Sequence, residues 1–357
     1  MTVVSANTKN PLAERLSKTG GRLSEYSGAT TAANFGDVER EFDAITHACG
    51  VYDLGWRGKI AVTGEDRVRW LNGMVTNNLK DLAPNHGNYN FVLNAQGRIQ
   101  GDLYVYNRGE QLLIETDHAQ VESLLKTLGH FIIMDDVELT DESDKTTSIG
   151  VQGPKASKIL EVAGISASCA GPLVVCDIEW KGAQVSVTRM VSDDFLTYEM
   201  WMSPEIAPLL WDSLVAAGAV PAGTDALEKF RIFAGVPKFG TDILNKHLPQ
   251  ETAQKHALNF NKGCYIGQEI VERIRSQANV HRTFTGFLLD ESVEVGAKVV
   301  SEEKEVGVLT SVTDITIGGK QNFLALGYIR KDAINKVPLL TSSGVSVHAA
   351  TLPFKVK

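Results

Sequence analysis

The sequence predicts an α+β fold in which two similar halves, each built from antiparallel strands and helices, precede a small all-β domain. Three observations lead to this prediction: a weak internal repeat, strands that pair as hairpins between helices, and a change of pattern after residue 283. The chain has 357 residues, which is enough for two or three domains, because single domains typically contain roughly 100–200 residues.

The internal repeat begins with a strand of alternating character, Lys59–Gly64, and with a helix that opens at Asp66. The same pattern recurs 89 residues later in Ile149–Gly153, where Pro154 leads the next helix. Proline is tolerated in the first turn of a helix. We therefore expect two halves, at about residues 36–140 and 141–245, that pack as one pseudo-symmetric domain.

Each half then continues with paired strands and a helix, which favours an antiparallel layer over a parallel doubly wound sheet. After residue 283 only short strand candidates between turns remain, so residues 283–357 are predicted to form a β-barrel or sandwich. Residues 1–35 are rich in Ser, Thr, Ala and Gly and are predicted to form a flexible arm. The predicted strands and helices of the two halves are Tyr89–Leu93, Ile99–Tyr106, Gln111–Glu115 and Ala119–Leu128, and then Leu173–Trp180, Gln184–Met190, Leu196–Met202 and Pro204–Ala217.

Composition excludes several classes of protein. Hydrophobic residues make up 43% and charged residues 22%, which argues against a disordered or fibrous chain. The net charge of −8 argues against a general electrostatic affinity for DNA or a membrane surface. Residues 225–282 nevertheless carry +3, which leaves −11 for the rest. This segment is either a set of solvated faces or a basic wall for an anionic small ligand.

No secretory signal and no membrane-spanning segment is recognisable, so we expect a soluble cytoplasmic protein. Four cysteines are too few for a disulfide scaffold and suit a reducing compartment. His247, His256, Cys264 and His281 match no common zinc spacing. No metal site is predicted, and no phosphate-binding glycine motif or nucleophilic serine elbow is found.

The most distinctive local feature is the octapeptide Lys262–Glu269, in which Cys264 lies between a lysine and two glycines before a predicted helix. Cationic neighbours and helix N-termini stabilise the thiolate, the nucleophilic form of cysteine. The alternative is an inert buried thiol, because free cysteine is among the most buried residue types. For Cys49, Cys169 and Cys176 the inert alternative is favoured.

Two predicted strands combine a carboxylate with aromatic residues on one face. Strand alternation places Asp102 with Tyr104, and Glu199 with Trp201. Such a face suits a flat heterocycle with N–H donors, since a carboxylate accepts hydrogen bonds and an aromatic ring can stack. The alternative for each carboxylate is a solvated strand face. Arg231 could bind a carboxylate or carbonyl, or could form a helical ion pair with Glu228.

These motifs resemble a known superfamily. The octapeptide K-G-C-Y-I-G-Q-E resembles the signature of the YgfZ-type folate-binding proteins, which help to assemble or maintain iron–sulfur enzymes. Roughly residues 36–357 resemble the T-protein, the aminomethyltransferase of the glycine cleavage system. Arg231–Gly240 is similar to the shared R-x-E-A-G-x-P-x-x-G segment, with Phe233 where glutamate is usual.

The resemblance implies a duplicated folate-binding region at residues 36–282, followed by a C-terminal β-barrel, with tetrahydrofolate as cofactor. Thr197-Tyr198-Glu199 resembles the motif that carries the pteridine-binding glutamate. Gly97–Leu103 resembles the motif of the catalytic aspartate, but Gly101 replaces the first of its two acids and only Asp102 is kept. The cofactor-binding candidates are therefore Glu199, Arg231, Asp102, Lys262 and Tyr198, and the catalytic candidates are Cys264 and Asp102.

Three hypotheses remain open. The first is a tetrahydrofolate-binding accessory protein for iron–sulfur cluster assembly or repair, with iron–sulfur client or assembly proteins as partners and Cys264 as its thiol. The second is a folate-dependent aminomethyltransferase or demethylase that acts on a one-carbon unit. The third is a folate-fold scaffold that binds a protein partner without catalysis.

Overall fold

A computed structural model describes residues 10–192, 194–277 and 280–355. The chain forms two compact units that interleave along the sequence. Of the described residues, the first unit contains those up to Leu71, Leu79–Tyr89 and those in Leu103–Leu227, and the second contains Asn72–Asn78, Asn90–Asp102 and those from Glu228. Among the residues that the structure describes, no helix combines the length and the apolar character needed to span a membrane.

The elements are named in chain order. The helices are α1 Ala13–Lys18, α2 Val38–His47, α3 Arg67–Met74, α4 His118–Gly129, α5 Ala156–Val162, α6 Ala207–Ala216, α7 Thr224–Ala234 and α8 Gln268–Gln277, with 3-10 turns at Pro249–Glu251 and Lys255–Ala257. The strands are β1 Arg22–Tyr26, β2 Ala29–Asn34, β3 Gly50–Asp53, β4 Arg57–Thr63, β5 Gly87–Leu93, β6 Ile99–Asn107, β7 Leu112–Asp117, β8 Glu138–Asp141, β9 Thr147–Gln152, β10 Val175–Trp180, β11 Ala183–Arg189, β12 Thr197–Met202, β13 Val220–Pro221, β14 Arg282–Leu289, β15 Lys298–Ser301, β16 Lys304–Ile317, β17 Lys320–Arg330, β18 Leu339–Thr341 and β19 Ser346–Ala350.

The predicted duplication is visible in the strand order of two sheets. One sheet has the order β5-β6-β7-β4-β8 and the other β10-β11-β12-β9-β3-β13. Strands β4, β5, β6 and β7 thus correspond to β9, β10, β11 and β12. The pairs β4–β7, β9–β12 and β10–β11 are antiparallel, as expected, while the short β13 adds a parallel pair with β3. The prediction of two similar antiparallel halves is confirmed.

The core of the first unit lies on one face of the second sheet. Because side chains alternate along a strand, Val185 and Val187 on β11 and Met200 on β12 face the same apolar cluster. Helix α6 adds Trp211, which is completely buried there. The opposite face of these strands therefore carries the residues that do not contribute to this core, and it is the face of Glu199.

The N-terminal segment differs from the predicted flexible arm. Leu16 of helix α1 and Leu12, which directly precedes the helix, are buried in the core of the first unit, and β1 and β2 pair as an antiparallel hairpin. The buried Asp53 accepts hydrogen bonds from Asn10 and from Thr31 Oγ1 (2.6 Å), which ties the segment to β3. The prediction rested on small polar residues and overlooked these anchors. Residues 1–9 lie outside the described residues.

In the second unit, the C-terminal strands close into a six-stranded barrel of order β14-β17-β16-β15-β18-β19. Its interior is filled by side chains that include Phe287, Leu309 and Ile329. Closure removes the free edges of the sheet. The prediction of a small C-terminal β-barrel is confirmed.

Candidate functional site

The predicted site residues are divided between the two units. Tyr198 and Glu199 belong to the first unit, whereas Asp102, Arg231, Lys262 and Cys264 belong to the second.

Glu199 lies in the middle of the second sheet of the first unit. On β12 it is directly opposite Thr188 of β11 and Gly150 of β9, and it is 8% exposed. Tyr198, its neighbour, points to the other face, where its ring joins the core and its hydroxyl hydrogen-bonds the Ser157 hydroxyl at 3.0 Å. The predicted cofactor contact of Tyr198 is therefore not favoured by this geometry, because strand alternation separates it from Glu199.

A buried ionic cluster lies beside Glu199. Lys59 Nζ donates to Glu115 Oε1 at 2.6 Å, and both side chains are fully buried. Lys59 also donates to Ser148 Oγ at 3.1 Å. Arg57 pairs with Asp117, and its Nε lies 3.7 Å from the same Glu115 oxygen. The carboxylate that accompanies Glu199 in this unit is therefore Glu115, which the sequence reasoning did not identify.

The repeat explains why Lys59 and Ser148 meet. They occupy equivalent positions in the two halves, because Lys59 precedes Ile60 as Ser148 precedes Ile149. In register, Lys59 lies opposite Glu115 and Ser148 lies opposite Trp201. Their contact therefore brings together equivalent positions of β4 and β9. The 89-residue offset was thus the signal that could have located this cluster.

Aromatic rings adjoin the charges. The rings of Tyr106 and Trp201 pack edge to face with centroids 4.8 Å apart, and Lys59 Nζ lies 5.2 Å from the Trp201 ring centre. Tyr104 stacks on Tyr106 at 6.4 Å. The prediction of an aromatic face beside Glu199 agrees with these contacts, and Trp201 lies on that face.

The charges of the cluster shift its pKa values in opposite directions. Burial, and then the charge of Glu115, raise the pKa of Glu199 to about 7, although Arg57 and Lys59 oppose this shift. The nearby Trp201 indole N–H also favours ionised Glu199, although it makes no hydrogen bond of acceptable geometry. Burial also opposes the charge of Glu115, but Lys59 and Arg57 outweigh it and lower the pKa of that carboxyl. Glu115 is therefore held in its ionised form, whereas ionisation of Glu199 is disfavoured.

Five polar atoms of this region are buried and lack a hydrogen-bond partner. They are Glu199 Oε2, Glu115 Oε2, Trp201 Nε1, Tyr106 Oη and Thr188 Oγ1. Leaving such a group unsatisfied costs about 1–3 kcal/mol each. A concentration of both donors and acceptors in one buried region is typical of a binding site, where a ligand satisfies them.

The raised pKa of Glu199 predicts a pH-dependent stability that the variant Glu199→Gln removes. Between about pH 4.5 and 7 the folded chain retains a proton that the unfolded chain has released, so the Glu199 contribution to the unfolding free energy falls as pH rises. We expect the stability of the wild type relative to Glu199→Gln to decrease across this window and to become constant above it. Urea unfolding of both proteins from pH 4 to 9 measures this difference, and a difference that does not change with pH would contradict it.

In the second unit, Arg231 is enclosed by protein groups. Its guanidinium donates to Glu228 Oε2 at 2.8 Å, to the fully buried Asp242 Oδ2 at 2.6 Å and to Ser311 Oγ at 3.0 Å. It also reaches the Val236 carbonyl oxygen at 2.9 Å. The predicted alternative, an ion pair with Glu228, is present. The geometry thus favours a structural role for Arg231, joining α7 to β16, over a cofactor contact.

Lys262 is similarly engaged. Its side chain is 7% exposed, and Nζ donates to the carbonyl oxygens of Asn72, Val75 and Asn77, each at 2.6 Å. Cations are favoured at the C-terminal end of a helix, where carbonyl groups lack intrahelical partners, and α3 ends at Met74. Within the octapeptide, the lysine thus anchors the segment that follows α3 instead of facing the thiol.

Because Lys262 holds three carbonyl groups, Lys262→Met is expected to lower the unfolding free energy by about 3 kcal/mol or more. The exposed Lys255→Met serves as the matched control and should change stability by less than about 0.5 kcal/mol. Chemical denaturation of the three proteins checks this. Equal stabilities of Lys262→Met and the wild type would show that the three hydrogen bonds contribute nothing.

Cys264 is an exposed free thiol, whereas Cys49 is buried, and burial raises the pKa of Cys49 to about 12. Asp102 is half-buried on β6. Cys169 and Cys176, which the sequence predicts to be inert thiols, are joined as a disulfide. Within residues 10–192, 194–277 and 280–355, no three His, Cys, Asp or Glu side chains are arranged to hold a metal ion.

The sequence of the chain is similar to that of a known protein family. The model of the GCVT N-terminal domain matches residues 12–262. A putative chloroplastic transferase of Arabidopsis thaliana is 28% identical over 90% of this chain and 73% of its own length. An aminomethyltransferase of Thermoanaerobacter sp. (strain X514) is 27% identical over 85% of this chain and 84% of its own.

The fold has a close counterpart among solved structures. The glycine cleavage system aminomethyltransferase T from Bartonella henselae superposes with a TM-score of 0.86, covering 97% of each chain at 20% identity. At that identity the match shows the fold alone. Because the family model covers more than half of the sequence, the chain belongs to the GCVT family, the glycine cleavage T-protein superfamily.

Proposed function

We propose that the chain binds tetrahydrofolate or a related reduced folate, with the Glu199 carboxyl group holding the pteridine ring. The observation that supports this most strongly is the group of five unpartnered buried polar atoms around Glu199. A pteridine is a flat heterocycle with both N–H donors and acceptor atoms, so it matches two carboxylate oxygens, three donors and an aromatic face. The residues therefore fit the cofactor that the family implies.

In this proposal the protein residues bind and orient the ring. The Glu199 carboxylate accepts hydrogen bonds from ring N–H groups, and Trp201 Nε1, Tyr106 Oη and Thr188 Oγ1 are available as donors. The buried Lys59–Glu115 ion pair sets the electrostatic potential at the ring-binding position. Tetrahydrofolate supplies, when bound, a nitrogen that can carry a one-carbon unit. Binding is tested by calorimetric titration of the wild type with tetrahydrofolate, and the absence of saturable binding would rule the proposal out.

One candidate use of the folate is transfer of a one-carbon unit, as in an aminomethyltransferase or demethylase. It is supported by the curated relatives that are named aminomethyltransferases. Asp102 is the acid that would steer the reacting folate nitrogen through electrostatics. The replacement of its neighbouring acid by Gly101 weighs against full catalysis. Formation of methylene- or methyl-tetrahydrofolate from amine donors tests this use, and no product with any donor would exclude it.

The second candidate use is an accessory role in iron–sulfur cluster assembly or repair in the cytoplasm, with iron–sulfur client proteins as partners. It is supported by the octapeptide and by the exposure of Cys264 within it. In cells that lack the protein, Cys264→Ser is expected to restore less than a tenth of the client-enzyme activity that the wild type restores. Cys49→Ser, which changes a buried thiol, is the control for loss of a cysteine in general. Full restoration by a folded Cys264→Ser variant would remove the thiol from the mechanism.

A further inference from the structure

The charges around Glu199 form a set that is already balanced without it. Lys59 is paired with Glu115 at 2.6 Å, and Arg57 is paired with Asp117 at 2.5 Å. Each cation therefore has an anionic partner within ion-pair distance, and burial lowers the pKa of Lys59 further. Ionised Glu199 would therefore add one uncompensated negative charge to a buried region, which costs far more than the same charge in water.

The residues directly opposite Glu199 on the neighbouring strands supply no compensating cation. Its strand neighbours contribute Thr188 and Gly150, and the ring of Tyr52 lies so close to Gly150 that a Cβ there would meet it at 2.0 Å. The two phenols that interact with Glu199, Tyr52 and Tyr106, both have pKa values raised by burial, so they are neutral at pH 7. Strands β4 and β7 contribute Arg57, Lys59 and Glu115, whose charges act on Glu199, and Asp117, which pairs with Arg57.

We propose that burial and the balanced set of Lys59, Glu115, Arg57 and Asp117 keep Glu199 a neutral carboxylic acid in the free protein under mildly acidic conditions, so that binding a ligand through two N–H donors then expels one proton to solvent. A carboxylic acid offers one donor and one acceptor, whereas a carboxylate offers only acceptors. A ring edge with two N–H donors therefore requires Glu199 in its ionised form. The O–H bond of Glu199 breaks, its electron pair stays on the carboxylate, and the proton leaves.

In this scheme Glu115 is a positioning residue: it acts on the ligand through the protonation state of Glu199. The ligand part of the inference rests on the proposed folate function, but the protonation state does not. The two can therefore fail separately. A ring edge with one donor and one acceptor would instead bind best at low pH, where Glu199 is protonated. The four charged residues therefore also determine which edge of a heterocycle Glu199 binds.

The protonation state can be measured without any ligand. The infrared carbonyl band of a protonated carboxyl group is followed against pH in the full chain and is assigned to Glu199 by its loss in Glu199→Gln. In the wild type, the band is expected to disappear with a midpoint near pH 7. Glu115→Gln removes one negative charge and should lower this midpoint by about one pH unit or more. A midpoint near pH 4.5 in the wild type, or one that Glu115→Gln does not move, would overturn the proposal.

Two further variants keep the test decisive. Asp117→Asn removes a negative charge from a side chain that retains 14% exposure, so it should fold even if Glu115→Gln does not, and it should also lower the midpoint. Glu138→Gln changes an exposed carboxylate on β8 and should leave it unchanged. An unmoved midpoint in Asp117→Asn, or an equal shift in Glu138→Gln, would contradict the balanced set.

The release of a proton on binding is the part of the test that requires a ligand. Titration with tetrahydrofolate in two buffers of different ionisation enthalpy should show release of about one proton per ligand at pH 6 and none at pH 8.5, and affinity should rise about tenfold per pH unit below pH 7. If the infrared midpoints behave as predicted but no folate binds, only the folate proposal fails. If folate binds without proton release at pH 6, the inference fails and the folate proposal stands.

Discussion

Glu199→Ala is expected to weaken tetrahydrofolate binding about 100-fold or more at pH 8. The variant removes a carboxylate that would accept two hydrogen bonds from the ring, and hydrogen bonds to charged groups contribute about 1.5–3 kcal/mol each. Since 1.4 kcal/mol corresponds to a tenfold change in affinity, the loss of both bonds exceeds two orders of magnitude. Calorimetric titration of wild type and variant measures the effect directly.

A matched control separates the loss of this carboxylate from the loss of any charge in the sheet. Glu179 lies on β10 of the same sheet but is exposed, so Glu179→Gln should bind with wild-type affinity. Glu199→Ala should remain folded, because it removes a buried carboxyl group that lacks a partner for one oxygen. Unchanged affinity in a folded Glu199→Ala protein would refute the role assigned to Glu199.

The second large effect concerns the Arg231–Asp242 pair in the second unit. Arg231→Met should lower the unfolding free energy by about 3–5 kcal/mol, because it leaves Asp242 as a fully buried charge without its cation. Asp242 would still accept hydrogen bonds from Ser311 Oγ at 2.7 Å and from Lys238 N at 3.0 Å. Chemical denaturation measures the loss of stability.

The same variant decides between the two roles of Arg231. If Arg231 is structural, folate affinity of the folded variant should stay within about threefold of the wild type while stability falls. Lys229→Met is a useful comparison. Lys229 pairs with the more exposed Asp314 at 3.2 Å and donates to its carbonyl oxygen at 2.6 Å, so its replacement should cost about 1–2 kcal/mol, less than that of Arg231. A large loss of affinity with little loss of stability would restore the predicted cofactor contact.

The fold was largely predictable from the sequence because its signals are periodic. Alternating apolar and polar residues in Ile149–Gly153 and Lys59–Gly64 located the two equivalent strands. The short strand candidates between turns after residue 283 indicated the barrel. The N-terminal segment was mispredicted because its order depends on long-range contacts, such as the burial of Leu12 and the hydrogen bond of Thr31 to Asp53. Composition does not reveal such contacts.

The candidate site was predictable only in part. Strand alternation correctly predicted that Glu199 and Trp201 share one face, since both residues lie on the same strand. The partners Lys59 and Glu115 lie on β4 and β7 of the first half, and the contact that brings them to the second half, from Lys59 to Ser148, cannot be predicted from local sequence. A lysine in a strand ordinarily indicates a solvent-exposed face, and only the burial of the whole pair shows otherwise. Conversely, Lys262 looked available for a ligand because its three carbonyl partners are more than 180 residues away in sequence, and Arg231 did so because Asp242 and Ser311 are not recognisable as its partners from local spacing.

The central claim is that the Glu199 carboxyl group holds the pteridine of a reduced folate. The most direct test is a crystal structure of the chain with tetrahydrofolate bound. We expect the 2-amino and ring N–H groups to lie within hydrogen-bond distance of both Glu199 oxygens, with Trp201 beside the ring. A folate bound with its pteridine away from Glu199, leaving the five buried polar atoms unpaired, would contradict it.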